Sequence, residues 1–156
     1  MEVDIQRAAD LANKAATIAQ EYRELTGRPL GITGEVGELR AAQLLGLELA
    51  EARAPGFDAY EMLDGKTIFY QVKARCQRAD SSRSQRTGRF KLTPGWDRAL
   101  LVLLNEAFEA MQIFEVERES IEALLATSES RAIQRGALST SWFKKHGRLR
   151  WSRDAA

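Results

Sequence analysis

The chain has 156 residues, of which 44% are hydrophobic and 29% are charged, and its formal net charge is +1. These values are typical of one ordinary globular domain that is long enough to bury a core. The single cysteine excludes an internal disulfide and predicts a reduced, cytoplasmic setting. The acidic N-terminus is unlike a signal peptide, and no apolar run is long enough to span a bilayer, so we expect no contact with a membrane.

Two helices are predicted at the start of the chain. Between Val3 and about Leu25, apolar residues recur at helical spacing and many of them are alanines, which predicts an amphipathic helix. A second helix starts near Thr33, runs through GEVGELRAAQLLG and stops at Gly46. Residues 1–30 therefore form an N-terminal helical extension.

Strand patterns fill the middle of the chain. The segment FDAYEML predicts a charged strand, Asp64–Gly65 a tight hairpin turn, and KTIFYQVKAR a second strand. Residues 77–90 are polar and basic and predict a mobile loop. The run RALLVLLN is typical of a central strand that is buried on both faces, and EAFEAMQIFEVE of a turn followed by another strand.

An acidic helix and a basic tail complete the chain. The helix is RESIEALLAT, and in the tail GALSTSWFKKHGRLRW the serines of STS predict a helix N-cap before WFKK. The order of these elements predicts a single α/β domain with a central mixed sheet of about four strands, flanked by helices and preceded by the extra N-terminal helix. Its core spans residues 31–126, and a basic segment spans residues 127–156.

The charges are distributed in alternating blocks. Residues 1–72 carry a formal charge of −5 and residues 105–130 carry −6, whereas residues 73–98 carry +6 and residues 131–153 carry +7. A fold that brings the two basic blocks together would present a positive face on a nearly neutral protein. The alternative is a set of solvated loops on opposite sides of the molecule.

A polar patch is predicted on the central hairpin. Residues two apart on a strand share a face, so Gln71 and Lys73 lie on the same face as Phe69, and Asp58 on the neighbouring strand falls approximately opposite Gln71. A lysine buried in this patch needs an anionic partner, which a bound metal or phosphate together with Asp58 would explain. The alternative is a surface salt bridge between Asp58 and Lys73.

Two glutamates at the start of the second predicted helix extend this patch. Glu35 and Glu38 are three residues apart and so lie on one side of the helix, where the helix dipole favours acids whatever their role. Because this helix must pack on the sheet, Glu38 can lean towards Asp58. Three oxygen donors and a lysine would suit a hard divalent cation such as Mg²⁺.

The arrangement GELRAAQLLG, GFDAYE and IFYQVKAR resembles the PD-(D/E)xK nuclease superfamily, over about residues 34–116. The resemblance implies a restriction endonuclease-like fold and the following roles. Asp58 would bind the metal, Glu38 would touch the metal or its waters, and Glu35 would be an auxiliary acid. The Val72 carbonyl would be a further metal ligand, and Lys73 would orient the attacking water. Gln71 stands where the family has Glu or Asp, so this chain is a Gln-x-Lys variant with one carboxylate fewer.

The resemblance implies metal-assisted phosphodiester hydrolysis, with Mg²⁺ or alternatively Mn²⁺ as the cofactor, in DNA processing, repair or defence. The basic blocks fit a polyanionic substrate, which we expect to be DNA, although the sequence leaves RNA open. The predicted contacts with nucleic acid are Arg75, Arg78, Arg83, Arg86, Arg89, Lys91, Lys144, Lys145 and Arg148. Trp142 and Trp151 are predicted to be core residues rather than stacking platforms.

Two further possibilities remain open at this stage. Because Gln71 brings no negative charge, the chain could be a nuclease fold that has lost catalysis and binds nucleic acid or a partner protein. The apolar face of the alanine-rich first helix could also serve a homodimer as easily as the protein's own core. The only histidine is His146, which excludes a site with several histidine ligands.

Overall fold

The computed structural model describes residues 2–78 and 84–155 of the chain. They form one mixed sheet with helices on both sides. The helices are α1 (Ile5–Thr26), α2 (Thr33–Leu45), α3 (Arg118–Thr127), α4 (Arg131–Gln134) and α5 (Thr140–His146), followed at the end by a 3-10 turn (Arg153–Ala155). The strands are β1 (Glu48–Leu49), β2 (Ala59–Leu63), β3 (Lys66–Cys76), β4 (Arg98–Leu104), β5 (Ala110–Glu117) and β6 (Arg148–Ser152).

The six strands of the sheet lie side by side in chain order, from β1 to β6. Strands β3 and β4 are parallel, and all the other neighbours are antiparallel. The α/β class and the mixed sheet are confirmed, but the prediction of about four strands is wrong. The two missed strands are the edges: β1 has only two residues, and β6 lies within the segment that was interpreted as a basic tail.

The two faces of the sheet bury separate hydrophobic cores. The α2 face is covered by α2, and its core includes Tyr70, Val72, Ala74, Leu100, Val102 and Ile113. The α3 face is covered by α3, α5 and the segment before β4, and its core includes Phe90, Trp96, Leu101, Leu103, Phe114, Ile121, Leu138 and Phe143. Strand β4 is buried on both faces, as its continuous apolar sequence predicted.

The position of α2 on the sheet depends on a glycine. A Cβ atom on Gly37 would lie 2.2 Å from the Cβ of Ala74, so only glycine allows α2 to approach β3 this closely. The outer side of α2 is covered by α1 through the buried residues Ala9, Ala16 and Ala19. The predicted N-terminal extension is therefore a helix that packs on the α2 layer.

Two local predictions are confirmed at the level of backbone geometry. Asp64 and Gly65 have φ angles of 50° and 77°, as a two-residue hairpin turn of type I′ requires, and they join Leu63 directly to Lys66. Ser139 caps α5, because its hydroxyl accepts a hydrogen bond from the Trp142 amide at 3.1 Å. The sequence of each turn therefore determines its structure locally.

The second half of the loop predicted over residues 77–90 contains no helix or named strand, but it pairs with a distant segment. Residues 85–90 run beside residues 136–140 and exchange backbone hydrogen bonds with them, including Thr87 N to Leu138 O at 2.7 Å and Phe90 N to Gly136 O at 2.9 Å. This pairing involves residues about 50 positions apart, which a polar local sequence does not reveal. Residues 79–83 of the predicted loop lie outside the described residues.

Among the helices in the described part of the chain, none is both long enough and apolar enough to cross a bilayer.

Candidate functional site

Strand β3 extends beyond the end of β2 and leaves an open edge. Strand β2 begins at Ala59, which pairs with Tyr70, whereas β3 continues to Cys76 and is paired there only with β4. The open edge of β3 (residues 71–76) therefore faces a notch in the sheet. Side chains from both faces of the sheet can reach this notch.

Asp58 lies in the notch and makes hydrogen bonds to β3 where β2 no longer pairs with it. Its backbone amide donates to the Tyr70 carbonyl at 2.8 Å, and its carboxylate oxygen Oδ2 accepts a hydrogen bond from the Val72 amide at 2.8 Å. The register places Asp58 opposite Gln71, as predicted. The other carboxylate oxygen, Oδ1, accepts no hydrogen bond in the described part of the chain.

Gln71 lies beside Asp58 on the α3 face and is held in one orientation. Its amide nitrogen donates a hydrogen bond to the Gly56 carbonyl at 2.8 Å. Gly56 packs tightly against Pro94. It has a φ of 89°, and a Cβ atom on Gly56 would lie 2.6 Å from the Pro94 carbonyl oxygen. The amide oxygen of Gln71 accepts no hydrogen bond within the described residues.

Lys73 follows Gln71 on the same face and makes no ion pair within the described residues. The Lys73 ammonium lies 5.5 Å from the centre of the Phe90 ring, which is a cation–π contact. The backbone of Gly88 also lies close by, since a Cβ atom added to Gly88 would be 3.8 Å from the Lys73 side chain. The alternative of a salt bridge between Asp58 and Lys73 is not found. The side chain is instead positioned by the segment that precedes β4.

Glu38 reaches the site from the α2 face. Burial, and after it the negative charges of Asp58 and Glu35, raise the pKa of Glu38 to about 7, although the positive charge of Lys73 acts in the opposite direction. These charge interactions place Glu38, Asp58 and Lys73 in one electrostatic cluster. Glu35 is exposed in the first turn of α2 and lies at the margin of this cluster.

The Asp58 site is formed by Glu38, Asp58, Gln71, Val72 and Lys73. It brings several oxygen atoms together, and its carboxylates form no ion pair within the described residues. Because the N–H and C=O of one strand residue point to the same side, the Val72 carbonyl points towards the notch, as its amide does. Among the described residues, no group of three or more His, Cys, Asp and Glu side chains could hold a metal ion. The donor set here has only two carboxylates, and its other oxygens come from an amide and the backbone. Such a set fits a hard cation with few protein ligands.

Some of the predicted basic residues line the same region. Arg75 follows Lys73 on the α3 face, and its guanidinium donates to the carbonyls of Arg86 and Ala74 at 2.6 and 2.9 Å. Arg86, Arg89 and Lys91 are exposed on the segment that passes over Lys73 and Arg75. These four side chains form a basic margin next to the Asp58 site.

The other predicted basic residues lie elsewhere or have partners. Arg78 pairs with Glu106 at 3.3 Å, and Arg148 pairs with Glu115 at 3.0 Å on the far side of the sheet. Lys144 and Lys145 are exposed in the last turn of α5, which packs over β5, two strands away from β3. Arg83 lies outside the described residues. The two basic blocks are joined by the backbone pairing of residues 85–90 and 136–140.

The predicted core tryptophans are half-buried at the margins of the two cores. Trp142 packs edge to face on Phe143, with ring centres 5.3 Å apart, at the margin of the core on the α3 face. Trp151 on β6 packs at the margin of the core on the α2 face. Both therefore contribute packing.

A second polar cluster was missed in the sequence. The Glu115 cluster consists of Glu61, Tyr70, Arg98, Glu115, Arg148 and Arg150, on the α2 face. The carboxylate of Glu115 is 5% exposed and pairs with all three arginines, at 3.2 Å for Arg98 and 3.0 Å for Arg148. The Tyr70 hydroxyl donates to Glu61 at 2.6 Å, and burial together with this hydrogen bond raises the pKa of Tyr70.

A cleft of about 660 Å³ lies away from the Asp58 site, at the opposite end of β4, and is lined by Leu104, Asn105, Met111 and Gln112 among others. The Asp58 site is an open notch in a sheet edge instead. An open notch suits a substrate that extends past the protein more than a small molecule that must be enclosed.

The chain was compared with models of protein families and with curated proteins, and it matches none of them. The resemblance to PD-(D/E)xK nucleases therefore rests on the residues themselves and on the order of the elements that carry them.

Proposed function

We propose that this protein is a metal-dependent nuclease that hydrolyses phosphodiester bonds in DNA. The observation that carries the proposal is the Asp58 site, where two carboxylates and a lysine meet at the open edge of β3 and none of them is neutralised by an ion pair in the described part. The order of α2, β2 and β3 supports a restriction endonuclease-like core within the α/β fold.

The residues that would hold a divalent cation are Glu38, Asp58, Gln71 and the Val72 carbonyl. Mg²⁺ is the expected ion, and Mn²⁺ is an alternative, because both prefer oxygen ligands. When bound, the ion would polarise the phosphate and lower the pKa of a bound water. The Val72 amide holds Asp58 through Oδ2, so Oδ1, which accepts no hydrogen bond within the described residues, is the oxygen available to the ion. The Gly56 carbonyl holds Gln71 through its amide nitrogen, so its amide oxygen is the atom available to the ion.

Lys73 would stabilise the negative charge that develops on the phosphate. Its contact with the Phe90 ring and the lack of an anionic partner leave the ammonium available to an incoming anion. Arg75, Arg86, Arg89 and Lys91 would hold the neighbouring phosphates by charge and so position the backbone without reading its sequence. This arrangement supports a nucleic acid partner, and the single cysteine supports a cytoplasmic setting.

The proposal is tested by cleavage of plasmid and branched DNA with Mg²⁺ or Mn²⁺, for the wild type and for Asp58→Ala and Lys73→Ala. Each substitution should lower the rate by at least about 100-fold, because one removes a metal ligand and the other removes charge stabilisation in the transition state. Lys66→Ala and Glu48→Ala are matched controls, since both residues are exposed on the same sheet away from the notch. Wild-type cleavage no faster than that of both site variants would refute the enzyme proposal.

A second candidate function is favoured by Gln71. A nuclease fold with one carboxylate fewer could bind nucleic acid or a partner protein without cutting it. In that case the wild type would show no metal-dependent cleavage, and it would still bind DNA in a manner that weakens steeply with salt. Arg89→Ala and Lys91→Ala should then weaken binding, whereas Lys66→Ala should not.

A further inference from the structure

Helix α1 carries an exposed apolar stripe on the side next to its contact with α2. Leu11, Ile18, Tyr22 and Leu25 are 50%, 58%, 38% and 87% exposed. Together with Ala15 they occur at alternating spacings of four and three residues, which is the spacing of the two apolar positions of a coiled-coil heptad. Helix α1 has 22 residues and a length of about 33 Å, and the stripe, from Leu11 to Leu25, covers about two heptads of it.

The charged residues beside the stripe can form ion pairs with a second α1 helix in one orientation. In this heptad frame, Lys14 and Glu21 occupy the equivalent flanking position, just before an apolar residue. The opposite flank carries Ala12 and Ala19, and Ala19 is buried against α2. Neither Lys14 nor Glu21 forms an ion pair within the described residues. Charge pairs across a coiled coil set which helix pairs with which and in which orientation.

We propose that α1 is a self-association surface, on which α1 of a second copy of this chain packs antiparallel. With a two-fold axis between Thr17 and Ile18, Leu11 approaches Leu25 of the second copy, and the two Ile18 side chains meet. The same axis places Lys14 opposite Glu21 of the second copy, twice. In a parallel pair, Lys14 and Glu21 would instead face the flank of Ala12 and Ala19 in the second copy, which carries no charge to pair with them.

The stripe and its charges argue for a second copy as the occupant. The surface is self-complementary about one axis, as a two-fold interface must be, because the charged flank of each copy supplies both the lysine and the glutamate. A single pair of helices is a small interface, so the dimer should be weak, with a dissociation constant on the order of 10 μM. This inference does not depend on the proposed nuclease activity.

The test is the mass of the full chain in solution by sedimentation equilibrium, up to about 300 μM, well above the expected dissociation constant. Wild type should be a concentration-dependent dimer, and Ile18→Glu should weaken association by at least about 100-fold, because it places two like charges at the centre of an apolar contact. Leu92→Glu is the matched control, since Leu92 is also exposed and apolar but lies far along the chain from α1, and it should change nothing.

Charge reversal decides the orientation. Lys14→Glu and Glu21→Lys should each weaken association about tenfold, and the double variant should restore it. In a Cys76→Ser background, a mixture of Lys14→Cys and Glu21→Cys chains should form a disulfide between copies, whereas Lys14→Cys alone should not. A monomeric wild type, an Ile18→Glu variant that associates as the wild type does, or a double variant that is not restored would each overturn the proposal.

Discussion

The two polar clusters of this sheet differ in whether their charged side chains form ion pairs. In the Glu115 cluster, a buried carboxylate is surrounded by three arginines, and the neighbouring Glu61 is bound by Tyr70 and Arg150. In the Asp58 site, Glu38, Asp58 and Lys73 interact through their charges but form no ion pair within the described residues. Both clusters include residues of β2 or the segment before it and of β3, so the difference does not come from the kind of backbone that carries them.

The difference separates a cluster that stabilises the fold from one whose unpaired charges the proposed function would use to bind a metal and a phosphate. A buried carboxylate without a cation raises the free energy of the folded state, and a chain tolerates this where the charge serves another purpose. The raised pKa of Glu38, to about 7, is the direct sign of that cost. The Glu115 cluster has already neutralised its carboxylate and has no comparable need of a ligand.

Removing the charge of Glu115 should produce the largest loss of stability. Glu115→Gln leaves Arg98, Arg148 and Arg150 without their shared carboxylate, and we expect the free energy of unfolding to fall by about 3 kcal/mol. Urea denaturation at pH 7 measures it. The matched control is Glu117→Gln, which removes an exposed partner of Arg98 at 3.1 Å and should cost less than about 1 kcal/mol. Equal losses for the two variants would contradict a structural role for the cluster.

Neutralising Glu38 should raise the free energy of unfolding, in contrast to neutralising Glu115. Because the folded-state pKa of about 7 is above the ordinary glutamate value of 4.5, the folded chain keeps a proton between these pH values that the unfolded chain has released. The contribution of Glu38 to stability therefore falls as the pH rises from 4.5 to 7. At pH 8, Glu38→Gln should unfold with about 1–2 kcal/mol more free energy than the wild type, and at pH 5 the gain should be near zero.

The measurement is urea denaturation at pH 5 and pH 8 without divalent ions. Glu35→Gln is the control, since Glu35 is exposed in the preceding turn, and its gain should be smaller. Added Mg²⁺ should stabilise the wild type at pH 8 and should stabilise Glu38→Gln less, because the variant has lost a ligand. A Glu38→Gln variant that is less stable than the wild type at pH 8 would show that the charge of Glu38 is already compensated.

The sequence predicts those parts of the site that depend on neighbouring residues. The hairpin at Asp64 and Gly65 determines the register of β2 and β3, and that register places Asp58 opposite Gln71. The alternation of side chains along β3 then places Gln71 and Lys73 on one face. The helix α3 is likewise found over the residues predicted for it. Each of these inferences spans fewer than about 15 residues of chain.

The parts that the sequence does not predict depend on distant contacts. Phe90 meets Lys73 because residues 85–90 pair with residues 136–140, and no local pattern reveals that pairing. Arg148 was predicted to contact nucleic acid because its neighbours are basic. Its carboxylate partner, Glu115, lies more than 30 positions away and meets it only through the pairing of β5 and β6. Charge alone therefore does not distinguish a neutralised arginine from an available one.

The smallest expected effect tests whether Gln71 belongs to the metal site or only supports it. Gln71→Glu supplies the missing carboxylate, and we expect Mg²⁺ to bind about tenfold more tightly, as measured by calorimetry at pH 8. The same change costs the hydrogen bond to Gly56 at 2.8 Å and sets two oxygens against each other, so the metal-free variant should unfold with about 1 kcal/mol less free energy. Gln43→Glu, on the exposed side of α2, is the control for added charge. A loss of stability without a gain in Mg²⁺ affinity would mean that Gln71 positions the Asp58 site from outside the metal's reach.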